Sequence, residues 1–139
     1  MLKRKVSDFL KKPLITVEVG MSLRDVARVM RNEGISGLLV VDSSGKPAGV
    51  VSDTDMVRAL SRGVSKETRV EEIMSTTFFG IDPNATLLEA ARVMHENRVS
   101  RLFVVKGAEG RTELSHMPEG IITLSDIISA AAQRGLSFK

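Results

Sequence analysis

Residues 49–55 read Gly49-Val50-Val51-Ser52-Asp53-Thr54-Asp55, and residues 120–126 read Gly120-Ile121-Ile122-Thr123-Leu124-Ser125-Asp126. Both follow one formula: a glycine, two apolar residues, a hydroxyl residue and, three places further on, an aspartate. Paired β-branched residues running into Ser or Thr describe a strand that feeds a helix. The hydroxyl then accepts from an orphan backbone N–H of the first helical turn, an interaction worth about 1 kcal/mol.

Working outward, the chain matches itself at an offset of 64: Val6 with Val70, Leu23 with Leu87, Ala27-Arg28-Val29-Met30 with Ala91-Arg92-Val93-Met94, and Ser36 with Ser100. Leu38, Val40 and Val41 meet Leu102, Val104 and Val105, after which the offset becomes 71, so the second copy's loop is seven residues longer. One supersecondary unit is used twice, each copy leaving an apolar face for the other to cover. Neither half is expected to fold well alone. The organisation read from this is a basic lead-in over 1–12, repeat 1 over 6–62, a polar linker over 63–69, repeat 2 over 70–132 and a tail over 133–139.

Each copy reads strand, helix, strand, strand, helix. Ser22 and Thr86 are expected N-caps, and Leu23, Val26, Ala27, Met30 and Leu87, Ala90, Ala91, Met94 recur at helical spacing as core stripes. Leu38 to Val41 and Leu102 to Val105 are continuous apolar runs, as in strands buried on both faces. Asp42-Ser43-Ser44-Gly45-Lys46 predicts a hairpin turn, whereas Lys106 to Met117 is expected to project as a mobile loop.

Composition narrows the function. The chain has 139 residues, no cysteine and two histidines, His95 and His116, in unrelated contexts, so thiol chemistry is excluded and both histidines read as surface side chains. No apolar run is long enough to span a bilayer, and a cytoplasmic location is expected. Residues 13–139 carry 15 bases against 16 acids, so the net charge of +3 comes from Lys3, Arg4, Lys5, Lys11 and Lys12 against Asp8. With no Tyr or Trp to form a stacking platform, nucleic-acid binding is disfavoured and the basic head reads as a solvated lead-in. The absence of a Ser/His/Asp set, a metal cluster or a GxxxxGK[ST] loop argues against an enzyme, and no catalytic residue or catalytic cofactor is assigned.

Capping explains the hydroxyl of the formula but requires neither the Gly nor the Asp. A ligand reading uses all three: the Gly for close approach of a backbone or a base, the hydroxyl and helix-start N–H groups for a phosphate, and the carboxylate for two ribose hydroxyls.

The doubled pattern resembles the paired cystathionine β-synthase (CBS) domain, the Bateman module, over residues 6–132. The resemblance is carried by Ser22-Leu-x-x-Val-Ala-x-x-Met30, by Ile35-Ser36-Gly-Leu-x-Val-Val-Asp42, by Gly49 to Asp55, and by their second-copy counterparts. It implies an α/β (α+β) fold of two pseudo-symmetric β-α-β-β-α repeats packed through their sheets. It also implies clefts that take AMP, ADP, ATP or S-adenosylmethionine, and a homodimer made through helices. Met56, Leu60, Ile127, Ile128 and Ala131 are candidates for that interface or for the core.

Carried over by position, one ligand set is Asp126 for ribose, Thr123 near phosphate and Ile121 against the base, with Thr16, Ile35 and Ser36 from the other copy. The mirror set is Asp55, Ser52 and Val50, with Ile81, Val99 and Ser100. Arg101, whose first-copy counterpart is Gly37, is expected to reach the phosphate of the Asp126 set and make it tighter by roughly 10- to 100-fold. The open alternative for Arg101 is an exposed ion-pairing residue. Arg58 stands where the second copy has Ser129, either replacing the base missing at Gly37 or solvated, and Asp53 disfavours phosphate beside Ser52. The functional expectation is a regulatory sensor of an adenosine-containing ligand acting on a separate effector protein. The alternative is an interaction and dimerisation module with no physiological nucleotide.

Overall fold

In the computed structural model, which describes residues 4–10, 14–114 and 117–132, each repeat takes the expected order and the second gains one strand. The first runs β1 (Thr16–Glu18), α1 (Leu23–Glu33), β2 (Gly37–Val41), β3 (Pro47–Ser52) and α2 (Asp53–Ser61). The second runs β4 (Thr77–Ile81), α3 (Leu87–Asn97), β5 (Arg101–Val104), β6 (Glu109–Glu113), β7 (Gly120–Thr123) and α4 (Leu124–Ala131). The class is mixed α/β, as the doubled pattern implied. Sheet orders are β1-β2-β3 and β6-β4-β5-β7. β1 is parallel to β2 and β4 to β5, whereas the β2–β3 and β5–β7 pairs are antiparallel.

The helices start at their caps. The Ser22 hydroxyl accepts from the Asp25 N–H at 3.1 Å, and the Thr86 hydroxyl from the Glu89 N–H at 3.1 Å. Leu23, Val26 and Met30 of α1 then pack on Leu38, Val40 and Val51, while Leu87, Ala90 and Met94 of α3 pack on Leu102, Val104 and Ile122. Because strand side chains alternate, Leu39 and Val41 fall on the opposite face of β2, where they too are buried. This is the double burial that the continuous apolar run predicted. Both helices end in the left-handed region, at Gly34 (φ 64°) and at Arg98 (φ 54°).

The chain divides into two compact units whose membership crosses the repeats. One unit holds residues 14–77 with Glu113, Leu114 and Met117; the other holds 4–10, 78–112 and 118–132. Val6 and Phe9, in a short 3-10 turn, join the second repeat's core, and Val70, with Ile73 and Met74, joins the first repeat's. Backbone bonds hold both lead-ins: the Val6 N–H donates to the Ala85 carbonyl at 2.8 Å, and the Val70 N–H to the Met21 carbonyl at 2.8 Å.

Two expectations are corrected here. The basic head is no solvated lead-in over residues 4–10, because Val6 and Phe9 supply apolar surface that charge counting does not see. Nor does all of Lys106 to Met117 project: Glu109–Glu113 forms β6 at a sheet edge, its alternating burial hidden by polar side chains. Met1 to Lys3, Lys11 to Pro13, Ser115, His116 and the 133–139 tail lie outside the described residues. Among the described residues no helix is long and apolar enough to cross a membrane, and no cluster of His, Asp and Glu could hold a metal.

Candidate functional site

The two strand-to-helix junctions share a backbone and differ in what their polar groups have left to offer. At the first, the Ser52 N–H and hydroxyl both donate to Asp55 Oδ2 at 2.9 Å, and the Asp55 N–H returns to the Ser52 hydroxyl at 3.2 Å. At the second, the Thr123 N–H and hydroxyl donate to Asp126 Oδ2 at 2.8 and 3.0 Å, and the Asp126 N–H returns to the Thr123 hydroxyl at 3.3 Å. Each is a reciprocal capping box that locks the carboxylate in place with one oxygen, leaving the second outside the cap.

That second oxygen separates the copies. Asp55 Oδ1 accepts from the Arg58 guanidinium at 3.2 Å, an i,i+3 ion pair. Ser129 stands in Arg58's place in the second copy, and no side chain among the described residues holds Asp126 Oδ1. The helix-start N–H groups differ likewise. Asp53 and Leu124 donate to the Ser36 and Ser100 carbonyls at 2.8 and 3.0 Å. The next donor, Thr54 N–H, is taken by the Asp53 carboxylate at 2.7 Å. Its counterpart Ser125 N–H has no acceptor among the described residues, since Leu124 has no side-chain oxygen.

The sheet register places the other expected residues. Thr16, Leu39 and Val50 form one row across the first sheet, and Gly80, Phe103 and Ile121 form the equivalent row in the second. These rows lie on the face away from the helices, since their neighbours Val40, Val51, Val104 and Ile122 make the helix-side cores. Thr16, Val50 and Ile121 therefore share a face type. Ile81 does not: it is 1% exposed in the helix-side core, and the place expected for it belongs to Gly80, the true counterpart of Thr16. Arg101 stands directly opposite Thr123 in the β5–β7 pair, so the two side chains are cross-strand neighbours within one unit, as Gly37 and Ser52 are in the other. Ile35 and Val99 pack against the helix-side cores of their own units, Ser36 follows Ile35, and Ser100 lines a groove with Val99, Met94 and Leu124.

The formula's glycines serve packing. A Cβ on Gly49 would lie 2.6 Å from Met74 Sδ and 3.0 Å from the Ser75 carbonyl, and one on Gly120 would lie 3.2 Å from a Leu10 methyl. Leu10 and Met74 are counterparts at the offset of 64, so each glycine admits a lead-in rather than a base. Sequence reasoning also missed Ala108 and Thr112: a Cβ on Gly80 would meet the Ala108 methyl at 2.9 Å and the Thr112 hydroxyl at 3.2 Å. A glycine at the position that corresponds to Thr16, in the repeat with the longer loop, was the available signal.

The model of the CBS domain family matches residues 6–62 and 70–133. The chain belongs to the CBS domain family. A 33.4 kDa protein in a ribosomal RNA operon of Thermofilum pendens is 34% identical over 122 residues, covering 88% of this chain and 38% of that protein. The chain spans only 24% to 38% of the length of this and three further curated relatives it matches. Among solved structures, the CBS domain pair of protein MJ0100 in complex with 5′-methylthioadenosine and S-adenosyl-L-methionine is 26% identical, with a TM-score of 0.73 and coverage of 91% and 94% of the two chains. CBSX2 in complex with AMP is 27% identical, with a TM-score of 0.67 and coverage of 91% and 95%. Both match across the two CBS repeats.

Proposed function

We propose that this CBS domain pair is a regulatory module that binds an adenosine-containing ligand, AMP, ADP, ATP or S-adenosylmethionine, without transforming it. The observation that carries the reading is the second junction. A carboxylate fixed by two hydrogen bonds keeps Oδ1 open to accept from a ribose diol, and one residue away the Ser125 N–H is open to a phosphate or carboxylate. Thr123 and Ile121 stand beside them, and Arg101 is Thr123's cross-strand neighbour; Thr16, Ile35 and Ser36 are the first repeat's residues that the family resemblance assigns to the same ligand. The adenosine compounds bound by the MJ0100 and CBSX2 relatives support this chemistry.

The hydroxyl–carboxylate pairs Ser52–Asp55 and Thr123–Asp126 already serve as helix caps, and in this reading binding acts by shifting populations of the chain's arrangements. The output passes to an effector, carried on another chain or on further sequence of a longer protein. We also assign a homodimer to the helical faces. α2 exposes Val57 (66%) and Leu60, and α4 exposes Leu124 and Ile128 (64%), whereas Met56 and Ile127 are buried in the cores.

Thermal denaturation with AMP, ATP, S-adenosylmethionine and guanosine monophosphate tests the ligand reading. A ligand at about 100 times its dissociation constant adds about 2.7 kcal/mol to the folded state. The expected outcome is a rise in Tm with at least one adenosine compound that Asp126→Ala removes. No shift with any of them leaves the interaction module without a nucleotide as the reading.

A further inference from the structure

Among the described residues, α4 is the one α-helix whose exposed positions carry no charge: they are Leu124, Ser125, Ile128 and Ser129. Its single ionisable side chain, Asp126, is half-buried and held in the cap. A helix that faces water normally covers its outer side with charged and polar residues. The other three do so, with Arg24 and Arg28 on α1, Asp53 and Arg58 on α2, and Glu89 and Arg92 on α3. On α4, Leu124 is 51% exposed and Ile128, one turn further along the same stripe, is 64% exposed. Beside Leu124 lies a groove of about 780 Å³ between the end of α3 and the start of α4, lined by the buried Met94 and Ile127 and by the exposed Glu96 and Arg98. A protruding apolar pair and a hollow with an apolar base therefore share one surface inside one compact unit.

We infer that a second copy of this chain covers this surface, so that the homodimer is made by second repeat on second repeat, α4 against α4 across a two-fold axis. The inference rests on the homodimer reading and is independent of the ligand. A two-fold contact is self-complementary: what one copy inserts, the other inserts in return. Ile128 of each copy enters the groove of the other, and Glu96 at one rim meets Arg98 of the second copy, so opposite charges pair without a different partner. Residues near the axis meet their own counterparts. On α4 these are Ser125 and Ser129, small and uncharged, which lets the two helices approach closely. On α2 the place of Ser129 belongs to Arg58, with Arg62 one turn further on, and the same arrangement would set arginine against arginine. The contact is therefore assigned to α4 and not to α2, although α2 also exposes Val57 and Leu60.

Sedimentation equilibrium of the whole chain reads the contact. The wild type should be a dimer that Ile128→Glu weakens at least about 100-fold, since a two-fold contact carries each substitution twice and one buried isoleucine is worth at least about 10-fold. Val57→Glu should change the dimer Kd by less than about 3-fold, as for a surface position outside the contact. Ile128 is exposed in the single chain, so Ile128→Glu is expected to fold, and a cooperative thermal melt checks this. A second variant leaves Ile128 untouched. The chain has no cysteine, so Ser129→Cys puts one thiol on α4, and a bismaleimide spacer should join two such chains. It should give no mixed product with a size-tagged Arg58→Cys chain. A dimer that survives Ile128→Glu in folded form, an equal loss in Val57→Glu, no Ser129→Cys product, or the mixed product overturns the α4 contact and leaves the homodimer standing. A monomeric wild type overturns both, and a fall in Tm on Ile128→Glu would then give the surface to another part of the same chain.

Discussion

Two carboxylates in the turns contribute to how the protein answers acid. Asp82 is held below the usual carboxylate value of 3.8 by the Gly107 N–H first and the Asn84 N–H second, and Asp42 is held below it chiefly by the Ser44 hydroxyl. A carboxyl whose value is lower in the folded state adds stability above its unfolded value and loses it as pH falls through the folded one. Tm is therefore expected to drop between about pH 5 and about pH 3, and less steeply in Asp82→Asn. An unchanged slope in that variant would show that the Gly107 clamp has no net worth. The two junction glycines give a second test. A methyl at Gly49 meets Met74 at 2.6 Å and a backbone carbonyl at 3.0 Å, but at Gly120 only the end of Leu10 at 3.2 Å. Gly49→Ala should cost about 1–3 kcal/mol in urea unfolding, and Gly120→Ala should stay within about 1 kcal/mol of wild type, since reduced unfolded-state entropy offsets its milder crowding.

The corresponding helices end alike in space but not in residue. Gly34 takes φ 64° after α1 and accommodates it, whereas Arg98 takes φ 54° after α3 with a side chain that crowds its own backbone. Arg98→Gly is expected to raise stability by about 0.5–1 kcal/mol and Gly34→Ala to lower it by about 1 kcal/mol, both measured by denaturant midpoint. No gain in the first would mean that the Arg98 side chain returns what its backbone costs, through contacts at the rim of the groove it lines. Both caps, both apolar stripes and the buried central strands were legible as elements because each is set by local rules of spacing and hydrogen-bond supply. β6 was not, since an edge strand exposes half its length and EGRTE reads as loop.

For the whole chain, the compact units cut across the sequence repeats. A fragment of residues 1–62 keeps repeat 1 but lacks Val70 (0% exposed), Ile73 and Met74, which complete its core; a fragment of residues 14–77 keeps them. The second should hold its helical circular dichroism to a higher temperature than the first, despite nearly equal length. Equal melting would show that the exchanged lead-in adds no stability. The same exchange accounts for Gly49 and Gly120, whose small size serves the arriving lead-ins rather than a ligand.

The repeat, the class of fold, the helix caps and the pairing of a hydroxyl with an aspartate at each junction follow from the residues alone, because periodicity and capping act within a few positions of the chain. Which lead-in completes which core, which face Ile81 takes, and which of two similar aspartates keeps an oxygen free were decided only in three dimensions. Those outcomes depend on register and on contacts between distant segments. A one-residue difference in register moves a strand side chain to the other face, and Arg58 matters only because the helix brings it back to Asp55.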